Sequence, residues 1–562
     1  MRGRKGMRAL VLALCLGVAG HAAAAAAPPA TASPPAGLPA AIAAQITQLA
    51  TEKAPAIRGN ALAAYVVIDD FYSRRAFEPA WADATRARAL LDAIRDSVED
   101  GLNPADYHHA SLMGLAEEVA RPSATDAQRA EFDLLMTDAA VRLGYHLWFG
   151  KVDPVSFDSG WNLARRVPGL DPAVEIERAL ASPDLAARIR AQRPTLPLYT
   201  ALKRELARYR EIAARGGWQP IPAGTTLKVG DSDSRVPLLR ARLSATGDLA
   251  DATLPLGQDP ALFDAGLAQA VRAFQSRNGL ASDGAVGPGT LAELNVSVAD
   301  RILQLRINLD RGRLLLYDLP SEFVVVNIAS QQVNFVRNEQ IVWTSRAQVG
   351  KQYRQTPEYR SAINYLVINP TWTVPPGIIL NDILPAAKRD PASITRKGLR
   401  VLDTSGREVP PASVDWNRYN SGHIPYTLRQ DPGPTNALGR VKFMFPNPYA
   451  VYLHDTPSRA LFENEQRTTS SGCVRIERPF ELAELLLNDP ARWSRAELER
   501  AVATGKLQNV TLQKRVPILL VYWTAWVDAQ GVVQFRRDIY GRDEKWARAL
   551  SEPFRFRAQP LG

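Results

Sequence analysis

Cysteine is nearly missing from this chain. There are two in 562 residues, Cys15 and Cys473, and the first lies in a segment that reads as removable. A single remaining thiol can form neither a CxxC zinc pair nor a disulfide framework, so metal-finger and disulfide-stapled classes are excluded. No Walker motif and no dinucleotide fingerprint occurs. No basic cluster interleaved with aromatics marks a nucleic-acid surface. Beyond the N-terminus, no run approaches the roughly 18 apolar residues that a membrane-spanning helix needs.

The N-terminus itself is distinctive. Arg2, Arg4, Lys5 and Arg8 precede the apolar run ALVLALCLGVAG, and the small-residue stretch HAAAAAAPPA follows. This is the pattern of a cleavable secretory signal over 1–27, with cleavage around Ala25 to Ala27. An uncleaved N-terminal anchor is the alternative. Leu14 before Cys15 argues against lipidation. The expectation is an exported, periplasmic protein with no stable membrane insertion after cleavage. The formal charge of +10 drops to about +6 when the four signal cations leave, which suits a carboxylate-bearing partner without demonstrating one.

The length suggests three or so domains. A Pro/Ala linker occupies 28–40. Residues 41–220 read as helical: in TRARALLDAIRDSVEDGL, Leu90, Leu91, Ile94 and Val98 share a face and Gly101 supplies a C-cap. The aromatics Phe71, Tyr72, Trp81, Trp148 and Phe149 read as core, and His108, His109 and His146 as structural or surface residues. Residues 225–298 form a small three-helix module, with Asp264 as N-cap of the second helix and Leu267, Val271 and Phe274 on one face. From Arg306 onward the period changes to two, giving a mostly β domain over 305–541. Arg337-Asn338-Glu339 reads as a hairpin turn, and a late hairpin turns around Asp528 to Gly531. Between Pro375 and Pro434 the strand pattern stops, which predicts a lid or binding-loop insertion. Residues 542–562 read as a C-terminal tail. The fold class is multidomain α+β.

The chemistry gathers in AVYLHDTPSRALFENEQRTTSSGCVRI. In a strand, Tyr452 and His454 point to one face. The chain then returns through a Thr/Ser/Gly loop to Cys473, which can bring the thiol beside the imidazole, and Pro479 opens a helix. A histidine neighbour can take the thiol proton and activate the sulfur as nucleophile. Gly472 allows close backbone approach, and the N–H groups of Gly472 and Cys473 can face an oxyanion. Tyr452 is placed to hydrogen-bond substrate, and Arg475 to pair with a substrate carboxylate. A buried structural cysteine and an interchain disulfide are the alternatives. An oxidising compartment makes an unused lone thiol a liability, which favours a catalytic role.

These words also resemble known families. FQSRNGL, DGAVGP and TLAELN are similar to the peptidoglycan-binding type 1 module. YLHDT followed by SSGCVR resembles the L,D-transpeptidase catalytic domain, the YkuD family. GKQYRQTPEY, YLVINPTWTVPP, RQDPGPTNALGRVKFMFPN and VYLHDTPSRALF extend the likeness to its large YcbB-type multidomain branch, with a helical scaffold, a peptidoglycan-binding module and a lid-bearing catalytic domain in this order. The resemblance implies Cys473 as nucleophile, His454 as base, Gly472 and Cys473 as oxyanion hole, and Tyr452, Ser471 and Arg475 at the substrate. Many relatives carry His where this chain has Ser471, which leaves open what orients His454; a backbone carbonyl is one candidate. The implied reaction is a thioester-mediated 3→3 cross-link between peptidoglycan stems, without metal or cofactor and inhibited by carbapenems. Peptidoglycan glycan and stem peptides would be the partners, together with other cell-wall synthases. Hydrolysis, lipoprotein anchoring and an inert wall-binding scaffold are the rival outcomes.

Overall fold

The computed structural model describes residues 36–163, 169–250, 259–317, 319–420 and 422–555. The signal segment lies outside the described residues. Helix Leu38–Leu49 starts inside the stretch read as linker, because Ile42, Ile46 and Leu49 form a buried stripe. No helix among the described residues is long and apolar enough to cross a membrane.

The helical region is built around helix Asp126–Phe149, which opens on a capping box between Thr125 and Gln128. The helix is buried on most sides, so its inward positions include polar residues, each with a partner. Asp133 accepts from the Ala80 and Trp81 N–H groups at 2.8 and 2.9 Å. Asp138 accepts from the Ala64 N–H at 2.8 Å and pairs with His108 Nε2 at 2.7 Å. His146 Nδ1 bonds the Tyr107 hydroxyl at 2.8 Å. His108 and His146 are therefore structural. Phe71, Tyr72, Trp81 and Phe149 lie in the core as expected.

The small module has the three expected helices, Val236–Ala245, Ala265–Arg277 and Pro288–Leu294. Asp264 caps the second by accepting from the Leu267 N–H at 2.7 Å. Its core joins Val236, Leu239, Leu243, Leu267, Val271 and Phe274.

The period-two reading from Arg306 begins too early. Val298–Leu315 is one helix, and strands start only at Glu322. The helix hides its period because Asn308, Asp310, Arg311 and Arg313 are buried like their apolar neighbours. Asp310 accepts from the Lys151 and Val152 N–H groups at 2.7 and 3.1 Å and from Trp546 Nε1 at 3.1 Å. Arg313 reaches the Asp100 carbonyl at 2.6 Å and Asp310 at 2.7 Å. One helix thus ties together the scaffold, the sheet domain and the C-terminus. The stretch read as a tail also contributes a helix, Arg542–Ser551, whose Trp546 is 1% exposed.

The mostly β region carries nine sheet strands, here β1 (Glu322–Asn327), β2 (Gln332–Arg337), β3 (Gln340–Gly350), β4 (Tyr359–Ile368), β5 (Val441–Met444), β6 (Leu453–His454), β7 (Thr468–Ser470), β8 (Val474–Ile476) and β9 (Gln508–Val521). Their order is β7-β3-β8-β6-β5-β4-β9-β1-β2, and β2 pairs back onto β3, so the sheet closes on itself. The β2–β3 turn is Asn338-Glu339, both at positive φ as a two-residue hairpin requires. The late hairpin joins Ala525–Val527 and Val533–Phe535. The insertion between β4 and β5 is not strand-free. It forms its own sheet from Trp372–Thr373, Leu399–Leu402, Glu408–Val409 and Thr427–Gln430, over a core containing Val374, Ile379, Trp416 and Leu428. These strands are two to four residues long, too short to show a period.

Candidate active site

The site follows from register. β5 pairs with β6 through Lys442↔His454, β6 runs parallel to β8 through His454↔Arg475, and β8 pairs with β3 through Arg475↔Gln348. Lys442, His454, Arg475 and Gln348 therefore form one row across four strands. Side chains alternate along a strand, so Tyr452 and Cys473, each two residues back, share that face. The intervening Phe443, Leu453 and Val474 are fully buried in the core on the other side. The Val474 N–H donates to the Tyr452 carbonyl at 3.1 Å, which brings Cys473 beside Tyr452.

Backbone carbonyls hold His454. Nδ1 lies 2.5 Å from the Asp455 carbonyl, and the Leu438 carbonyl also bonds the ring. A carbonyl can only accept, so Nδ1 carries the proton and Nε2 is left as the basic nitrogen. The Asp455 backbone is fixed in turn by its carboxylate, which accepts from the Arg440 N–H at 3.0 Å and pairs with Arg459 at 3.2 Å. Ser471 plays no part in this. Its hydroxyl accepts from Arg354 Nη1 at 3.0 Å, and Arg354 is ion-paired with Asp382 of the insertion, with Nη2 3.0 Å from Oδ1.

The loop geometry separates the two expected oxyanion donors. The Gly472 N–H donates to Ser470 Oγ at 3.1 Å, whereas the Cys473 N–H makes no hydrogen bond among the described residues. Gly472 has φ of +113°, a conformation L side chains rarely adopt, while an added Cβ would find ordinary contacts of 3.6 Å or more. The requirement for glycine is conformational rather than spatial. Thr356 Oγ1 donates to the Gly472 carbonyl at 2.8 Å and accepts from the Gly350 N–H at 2.9 Å, tying the GKQYRQTPEY loop to the thiol loop.

Electrostatics set the resting state. Burial first, then the charges of Arg475 and Lys442, lower the His454 pKa from 6.5 to about 3. Burial pushes the Cys473 thiol up. Hydrogen bonding from the Tyr452 N–H and hydroxyl and the charges of Lys442 and Arg475 oppose that rise. The Tyr452 hydroxyl is raised by burial and by the adjacent sulfur. At neutral pH the site holds a neutral thiol beside a neutral imidazole. No hydrogen bond joins the two. The sulfur faces the Ala450 carbonyl at 3.8 Å, and the imidazole stacks edge-on to Tyr452 with ring centroids 5.7 Å apart. Among the described residues no group of three or more His, Cys, Asp or Glu is placed to hold a metal ion.

Every site residue expected from the sequence lies on this face or on the loop beside it. Lys442, Gln348, Arg354 and Asp382 were missed. The alternation in GRVKFMF puts Lys442 opposite the core-facing Val441 and Phe443, but only the register shows that its neighbour is His454.

A half-buried thiol and an oriented neutral imidazole share one face of the sheet, with the Cys473 N–H unbonded among the described residues, and these are parts that nucleophilic acyl transfer uses. Comparison makes the class specific. Residues 321–509 match the YkuD family, described as "L,D-transpeptidase catalytic domain". Residues 67–206 match a family described as "Scaffold domain", and residues 232–294 one described as "Putative peptidoglycan binding domain". A Haemophilus influenzae protein named "Putative L,D-transpeptidase" is 38% identical over 222 residues, which are 40% of this chain and 45% of that protein. The Mycobacterium tuberculosis protein "N-acetylmuramoyl-L-alanine amidase CwlM" is 45% identical over 75 residues, 13% of this chain and 18% of the other. The matches thus span less than half the length of these curated relatives. Two crystal structures of L,D-transpeptidases are also similar, each over 53% of this chain. One, from Xylanimonas cellulosilytica, is 16% identical over 99% of its own chain at a TM-score of 0.17. The other, from Stackebrandtia nassauensis, is 12% identical over 97% of its own chain at a TM-score of 0.20; nothing further rests on them.

Proposed function

We propose that this protein is a periplasmic L,D-transpeptidase that forms 3→3 cross-links in peptidoglycan. The observation that carries the reading is that Cys473 shares one face of the sheet with an imidazole whose Nδ1 is fixed by the Asp455 carbonyl and whose Nε2 stays unprotonated. In the first half-reaction the Cys473 proton passes to His454 Nε2 as sulfur attacks the L-centre carbonyl of diaminopimelate in a tetrapeptide stem. The Cys473 N–H, and Gly472 once freed from Ser470, stabilise the oxyanion; one such donor contributes on the order of 3 kcal/mol. His454 then protonates the amine of the terminal D-Ala, the C–N bond breaks, and a thioester remains. In the second half, the side-chain amine of another stem gives its proton to His454 and attacks the thioester, releasing the thiol. Tyr452 hydrogen-bonds the sulfur and the substrate, Arg475 pairs with a substrate carboxylate, and the insertion held through Ser471, Arg354 and Asp382 shields the thioester from water. The peptidoglycan-binding module supplies affinity for the wall.

The test is incubation of the signal-less protein with disaccharide-tetrapeptide, with products read by mass spectrometry. Cross-linked dimer plus D-Ala is the expected result. Free tripeptide without dimer would assign hydrolysis, and no turnover would leave a wall-binding scaffold. Cys473→Ala is expected to abolish the covalent carbapenem adduct while leaving sacculus binding intact, and an adduct persisting in that variant would remove Cys473 from the role of nucleophile.

A further inference from the structure

Lys442 has no anion. It sits half-buried on β5 with its Nζ 3.6 Å from the centroid of the Tyr452 ring, and no carboxylate pairs with it among the described residues. On the other side of His454, Arg475 is in the same condition. Its Nη1 bonds only the neutral Gln348 Oε1, at 3.1 Å, and its Nε is buried without a partner. Many arginines among the described residues pair with carboxylates, so two cations flanking one imidazole without a carboxylate partner stand out. Half-buried charges without counter-charges are costly unless something anionic completes the site. The resting thiol is neutral and does not supply that charge.

Geometry says where the anion belongs. Lys442 and Arg475 lie one strand to either side of His454, and neighbouring strands are about 5 Å apart. His454 is the group that protonates the departing amine. In an α-amino acid the carboxylate carbon is two bonds from that amine, within about 3 Å by standard bond lengths. A leaving group whose nitrogen meets His454 Nε2 therefore carries its carboxylate into the gap between imidazole and cations. The incoming amine of the acceptor takes the same place in the second half-reaction, and at the D-centre of diaminopimelate it too bears a neighbouring carboxylate.

We propose that Lys442, together with Arg475, forms the carboxylate subsite for the amino acid on the amine side of the transferred bond, and so determines that both the departing and the accepting amine carry an adjacent free carboxylate. The subsite rests on the transpeptidase reading for its substrate. It makes the enzyme selective for stems ending one residue past the scissile bond, because a longer stem would replace the charged carboxylate with a neutral amide.

The test is a binding measurement that needs no turnover. In a Cys473→Ala background, calorimetry compares disaccharide-tetrapeptide ending in free D-Ala with the same compound ending in D-alaninamide. The carboxylate form is expected to bind about 10- to 100-fold more tightly, the range for a charge-assisted contact. Lys442→Met, which keeps the aliphatic packing on Tyr452, should bring that ratio close to one, and Lys442→Arg should retain most of it. A ratio unchanged by Lys442→Met, or equal binding of the two compounds to the parent protein, overturns the subsite. Separately, absence of D-Ala release by the protein with Cys473 intact would overturn the transpeptidase reading while the binding ratio still judged Lys442.

Discussion

The Cys473 thiol and the His454 imidazole are both uncharged at rest, and that is a consequence of where each sits. His454 is 3% exposed and lies between two cations, so protonating it costs both desolvation and repulsion. With its pKa near 3, the imidazole stays unprotonated over the whole physiological range. Since it gains a proton only well below its ordinary 6.5, the acid limb expected of an unperturbed histidine should be missing. The rate of D-Ala release should hold from about pH 8 down to about pH 5, and a fall with an apparent pKa of 6 to 7 would contradict the assignment of His454. Alkylation of the thiol by iodoacetamide, which needs the thiolate, should instead climb through the alkaline range because burial raises the thiol. The placing of Tyr452, His454, Gly472, Cys473 and Arg475 on one face and its loop was legible in the sequence, because a strand period of two and one glycine-containing loop were enough to bring them together. A backbone carbonyl was among the candidates for orienting His454, but that it is the carbonyl of Asp455 was not legible, since a backbone group leaves no mark in the residue types.

At the scale of elements, a relay from Ser471 to Arg354 to Asp382 links the insertion to the thiol loop among the described residues. The Asp382 side chain is 43% exposed, so the ion pair itself stabilises the fold by only about 0 to 1 kcal/mol. Its effect should be on position. Asp382→Ala is expected to speed amide exchange over residues 376–389 and to shift products from dimer toward hydrolysed tripeptide, with little change in the thermal midpoint. Unchanged exchange would show that the contact does not hold the insertion. The insertion was legible as an interruption of the period-two pattern. Its internal sheet was hidden by the shortness of its strands, which gain stability from their own small core around Trp416 and Leu428 rather than from propensity.

Across the whole molecule, helix Val298–Leu315 does what no boundary drawn on the sequence suggested. Asp310 is fully buried and touches residues from the scaffold and from the C-terminal helix as well as Arg313 on its own helix. Asp310→Ala leaves Arg313 with a reduced counter-charge in the interior, and loss of one partner of a buried pair costs about 3 to 5 kcal/mol. Scanning calorimetry should show a lowered midpoint and a single transition splitting into separate scaffold and sheet-domain transitions. A single transition at the original midpoint would mean that the helix is a passive connector. Apolar periodicity located the three-helix module with its caps, but the central helix eluded the same method because its inward face is made of paired charges.

The closed sheet sets unequal limits on how this architecture can vary. Every strand except β7, which pairs only with β3, has both neighbours fixed by the ring, so residues added between β4 and β5 lengthen a connection and leave every pairing intact, as the insertion with its own sheet does. A single residue added within β8 would instead turn Arg475 toward the core and Ile476 toward the face that carries His454. The insertion is thus free to change in length. The row of Lys442, His454, Arg475 and Gln348 is locked by parity.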